Sequence, residues 1–102
     1  MSIKLVVLKS GEQVIADTKE IVSEDKIKGY LLNKPQIVST TNAAFLTEDM
    51  DDGGNVQVSL SPYILLKSGS DVIMTPDWVV TIVDPLESLV EMYEEKLNGE
   101  NN

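Results

Sequence analysis

A chain of 102 residues is the size of one domain, and 42% apolar content beside a formal net charge of −9 is the composition of a folded protein. The sequence has neither cysteine nor histidine. This excludes disulfides, thiolate and imidazole metal ligands, cysteine nucleophiles and histidine general bases, and with them hydrolytic triads and zinc sites.

Residues 3–8 are almost continuously apolar and β-branched, which predicts a strand covered on both faces. A tight turn follows at Lys9-Ser10-Gly11-Glu12, where glycine accepts a positive φ that a side chain would resist. Residues 13–22 read as a second, long and bent strand, with Ala16 small where sharp curvature leaves little room. Ser23-Glu24-Asp25-Lys26 is a polar turn. Residues 27–41 form a third strand, with Gly29 near its start; Pro35, which cannot donate to a ladder, predicts a bulge or an edge there. Residues 42–55 hold a short apolar cluster and then an acidic, glycine-rich turn.

Val56, Val58 and Leu60 alternate with polar residues, as a half-buried strand does. Pro62 interrupts, and residues 63–66 resume the extended pattern up to a turn at Ser68-Gly69-Ser70-Asp71. Val72-Ile73-Met74, a break at Thr75-Pro76-Asp77, and a run from Trp78 to Val83 complete the strands. About five strands at this spacing, joined by short turns, indicate a mainly β fold: a small, strongly bent antiparallel barrel of the SH3-like or Sm-like kind, with a C-terminal α-helix laid on it. That helix is predicted over residues 85–98, with Asp84 as cap, Pro85 at the first position and Glu87 at capping-box spacing. Leu86, Leu89, Val90, Tyr93 and Leu97 form its apolar stripe, and Gly99 ends it. The expected organisation is one domain over residues 1–98 and a loose tail at 99–102.

The charge is unevenly placed. Residues 1–47 carry a balance of +1 and residues 48–102 a balance of −10, and every basic residue is a lysine, so the arginine fork used on phosphate and guanine is missing. Nucleic acid is therefore repelled by the chain as a whole and could be met only by the first half. The start Met-Ser-Ile-Lys lacks the apolar run of ~7–15 residues of a signal peptide, and no stretch approaches the ~18 apolar residues that span a bilayer. A cytoplasmic protein without membrane partners is expected.

The stretch Val7-Leu8-Lys9-Ser10-Gly11-Glu12-Gln13-Val14-Ile15-Ala16 resembles the opening hairpin of the Sm/Lsm family, in which an apolar strand, a glycine turn and a second apolar strand begin a bent five-stranded barrel. The order Tyr30-Leu31-Leu32-Asn33-Lys34-Pro35, then Leu60-Ser61-Pro62-Tyr63, then Asp77-Trp78-Val79-Val80-Thr81-Ile82-Val83-Asp84-Pro85 and a Tyr-bearing helix is similar to small Sm-like proteins of marine cyanophages. Where the family's second motif carries an Arg-Gly or similar polar pair, this chain has Thr75-Pro76-Asp77. The resemblance implies a non-enzymatic homo-oligomeric ring of about five to seven identical subunits, by family analogy. It also implies binding of single-stranded RNA or DNA in phage nucleic-acid processing, in the host cytoplasm.

Candidate contacts are Lys26, Lys28 and Lys34 for phosphates, Tyr30 for stacking a base, and Trp78 for a base at the pore or else for the core or an interface. Glu48, Asp49, Asp51 and Asp52 lack the sixth-position glycine and distal glutamate of an EF-hand loop and read as a solvated acidic loop. Neither metal nor cofactor is expected. The carboxylates fall in turns and on the outer helix face, so no catalytic pair is assigned. The acidic second half offers a different partner: the chain could serve as a scaffold for a basic protein.

Overall fold

The computed structural model describes residues 2–42, 56–64 and 69–100. The chain is mainly β. Among the described residues six strands are present: β1 (Ile3–Leu8), β2 (Gln13–Ser23), β3 (Lys26–Asn42), β4 (Val56–Pro62), β5 (Asp71–Met74) and β6 (Val79–Val83). A 3-10 turn, Pro76–Trp78, joins β5 to β6, and helix α1 (Glu87–Glu100) follows. All pairings are antiparallel, in one sheet of order β4-β3-β2-β1-β6, with β5 also on β3.

The first hairpin forms as its residues require. Gly11 takes φ +94°, its amide donates to the Leu8 carbonyl, and the Leu8 amide donates to the Glu12 carbonyl, both at 2.9 Å. The continuous apolar run of β1 is explained by two separate cores. Val6 and Leu8 point into a cluster with Val14, Ala16, Leu32 and Met74, against which Val79 and Ile82 of β6 also pack. Ile3 and Leu5 point the other way, towards Ile15, Val38, Leu60 and the α1 side chains Leu89, Met92, Tyr93 and Leu97. Each strand residue contributes to one face only, because side chains alternate along a strand.

The bulge expected near Pro35 is present. Between Ile15 opposite Gln36 and Asp17 opposite Asn33, the two residues Lys34 and Pro35 of β3 face the single residue Ala16. Lys34 has φ +52°, and Pro35 is fully buried. The bulge is also where β3 changes outer partner: Tyr30–Asn33 pair with β5, and Gln36–Asn42 with β4. Ala16, with no exposed surface, fits where the sheet bends.

Several expectations are corrected. Tyr63 and Ile64 are bends, not strand, so β4 ends at Pro62; Leu65 and Leu66 lie outside the described residues. Trp78 belongs to the 3-10 turn and not to the last strand. The helix begins at Glu87 and passes through Gly99 to Glu100. The Leu86 carbonyl accepts from the amides of Leu89 (2.9 Å) and Val90 (3.1 Å), which makes Leu86 the capping position. Asp84 instead pairs with the Lys4 ammonium. Leu86 is 76% exposed and outside the stripe, and Met92 takes a place in it. The acidic residues 48–52 lie outside the described residues. Among the described residues, no helix is long and apolar enough to cross a membrane.

Candidate nucleic-acid interface

The lysines at the start of β3 owe their position to the turn before them. Glu24 (φ +55°) and Asp25 (φ +64°) both adopt positive φ, the requirement of a two-residue I′ hairpin, and Ser23 pairs directly with Lys26. A second bulge follows: Ile21 pairs with Gly29 and Val22 with Ile27, which leaves Lys28 as the extra residue. Lys26 and Lys28 are both exposed. They share the tip with the carboxylates of Glu24 and Asp25, so the local balance is near neutral.

Tyr30 is half-buried and packs against the first core, opposite Glu20 on β2 and Met74 on β5. Its neighbour Gly29 is buried because β5 passes close: a Cβ there would sit 3.2 Å from the Met74 carbonyl oxygen. The pairing with Met74 brings this end of β3 beside the Pro76–Trp78 turn. Trp78 is 42% exposed, and its carbonyl accepts from the Lys9 amide at 2.9 Å. Beside it, Asp77 has its pKa lowered, first by a hydrogen bond from the Thr75 side chain, then by its own backbone amide and by Lys9. The carboxylate one residue before Trp78 opposes a phosphate at this turn.

Lys34 stands apart from the other candidates. It lies four residues beyond Tyr30, about 13 Å along a strand, and is held by the bulge. Its amide donates to the Ser70 carbonyl (2.7 Å), and its own carbonyl accepts from the Tyr93 hydroxyl (3.0 Å). The structure thus places Lys26 and Lys28 at the β2–β3 tip, Tyr30 on the first core opposite Met74, Trp78 in a turn that meets Lys9, and Lys34 with the helix.

No protein-family model and no curated protein matches this sequence.

Lys4 lies outside the candidate set but shares a cavity with Tyr30. A cavity of about 470 Å³ is lined by Tyr30, Lys4, Thr18, Lys19 and Ile82, among others. Lys4 shares the inward face of β1 with Val6 and Leu8, so the alternation in the sequence could have marked it. Its ammonium is already engaged by Asp84. Among the described residues no group of three or more acidic side chains is placed to hold a metal ion.

Proposed function

We propose that this chain is a non-enzymatic Sm-like protein whose copies join edge to edge into a ring and bind single-stranded RNA or DNA through the β2–β3 tip. The observation that carries this reading is the pair of sheet edges. β4 and β6 end the strand path, and among the described residues neither has a partner on its outer side. Unpaired edges must be covered or paired. Joining β4 of one copy to β6 of the next is a head-to-tail contact, which closes into a ring when the rotation allows.

Closure of the sheet into a barrel belongs to the same proposal. β5 lies on β3 and β6 on β1, with four residues between them, and side chains from β1, β2, β3, β5 and β6 share one core. A ring would repeat Lys26, Lys28 and the exposed Trp78 around its axis, which turns a near-neutral tip into a multivalent contact. The expected binding is weak and falls steeply with salt.

Light scattering combined with titration of a labelled oligonucleotide at low salt tests assembly and ligand together. A multimer whose oligonucleotide affinity drops in Lys26→Glu/Lys28→Glu supports the reading. A monomer overturns the ring, and a multimer without affinity for any single strand overturns the nucleic-acid role.

A further inference from the structure

A groove of about 510 Å³ lies between the start of α1 and the sheet. Leu5, Val38 and Val58 line its floor, and Leu86, Leu89 and Met92 its helical wall. Because these floor residues come from β1, β3 and β4, the groove belongs to the face of the sheet and not to the β4 edge. It continues past Val58 and Met92 into a second hollow of about 490 Å³ beside Leu60, Glu95 and Lys96. At its rim stands Leu86, the most exposed large apolar side chain among the described residues, at 76%. A leucine held outward on a rigid helix start beside an apolar hollow is surface suited to contact, not to solvation.

The charges around the groove select its occupant. α1 carries exposed Glu87, Glu91, Glu94 and Glu95 against Lys96 alone, and Asp84 stands at the groove's mouth. Glu91 and Glu95 follow Ser88, a groove-lining residue, at i+3 and i+7, on the same side of the helix. The one nearby lysine on the sheet, Lys4, is taken by Asp84. Nucleic acid is repelled here, and a second copy would bring its own net charge of −9 against these carboxylates.

We infer that this groove binds a basic amphipathic segment of another protein. Its apolar side chains seat between Leu86, Met92 and Val58, and its lysines or arginines face Glu91 and Glu95. This follows the helix-in-groove mode of recognition. It does not depend on the ring or on nucleic-acid binding.

The test is fluorescence anisotropy of the full chain with a labelled amphipathic helix built from leucine and lysine. Two comparison peptides replace its leucines by serine or its lysines by glutamate. The leucine–lysine peptide should bind at least about tenfold more tightly than either comparison peptide. Leu86→Asn should weaken it about five- to tenfold, whereas Ile73→Asn, at a 70% exposed position on β5, should leave it unchanged. Equal binding of the serine–lysine peptide would reduce the effect to bulk charge and overturn the proposal. Equal loss in the Leu86 and Ile73 variants would overturn it as well. A change of oligomeric size in Leu86→Asn alone would assign the groove to a contact between copies and equally refute it.

Discussion

The hydroxyl of Tyr93 lies 3.0 Å from the carbonyl oxygen of Lys34 and donates to it, sharing its proton with the Asn33 carbonyl at 3.1 Å. The helix is thereby fastened to the bulge at which β3 exchanges β5 for β4. The next carbonyl, that of Pro35, accepts from the Tyr63 amide at 3.1 Å. A bulge interrupts ladder pairing and would leave these acceptors buried and unpaired. Tyr93, 1% exposed, supplies the donor and also fills the second core.

Two substitutions separate these roles of Tyr93. Tyr93→Phe keeps the packing and strands the carbonyls, and should cost about 1–2 kcal/mol. Tyr93→Ala also opens a cavity and should cost about 3–5 kcal/mol. Urea unfolding of both variants, compared at equal m-value, measures the difference. A phenylalanine variant as stable as the parent would show that the hydroxyl contributes nothing to docking.

Lys34 occupies a left-handed conformation, φ +52°, that costs an L-residue about 1–2 kcal/mol. Glycine there relieves the strain but adds freedom to the unfolded chain. Lys34→Gly should thus be as stable as the parent or up to about 1 kcal/mol more so, whereas Lys34→Ile should lose at least about 1 kcal/mol. Thermal or urea midpoints decide this, and a destabilised glycine variant would contradict it.

The register of α1 can be tested by contrast between neighbours. Leu86 is 76% exposed, so Leu86→Ala should change stability by no more than about 0.5 kcal/mol. Leu89 and Met92 pack on the sheet, and alanine at either should cost more, about 1–3 kcal/mol for these half-buried side chains. The reverse order would restore the register that simple helical periodicity suggests.

The lowered pKa of Asp77 predicts a pH effect of definite sign. Hydrogen bonds from the Thr75 side chain and its own backbone amide, with a smaller effect of Lys9, favour the ionised form in the fold. Their stabilisation is therefore complete above the unfolded pKa and is lost as pH falls through the lower, folded one. A carboxyl-detected NMR titration should place Asp77 below its ordinary value of 3.8, and Thr75→Val should move it upward. An unchanged titration in that variant would remove Thr75 as the cause.

Much of the architecture was legible because its causes are local. The Gly11 turn, the two-faced apolar run of β1, the bulge at Pro35 and an apolar helix after Asp84 each follow from a few adjacent residues. Leu86 departs from the stripe for a physical reason: its spacing to Leu89, Val90 and Tyr93 fits one, yet as the capping residue it is not held on the helix face. Of the candidate site, the exposure of Lys26 and Lys28 was legible from their turn. The separation of Lys34 was not, because it follows from a hydrogen bond across 59 residues.

By itself, the sequence determined a mainly β chain with a C-terminal helix, an inventory without histidine, cysteine or arginine, and a strongly acidic second half. Only the tertiary structure decided which side chains meet. Bulges at Lys28, at Lys34-Pro35 and at Val80 each insert one residue into a ladder, and each insertion shifts the following side chains relative to their partners. Periodicity sets which face a residue prefers. The long-range register sets what lies opposite it, and the tertiary structure placed Tyr30 and Lys4 on one cavity, Lys34 beneath Tyr93, and Leu86 at the rim of an open groove.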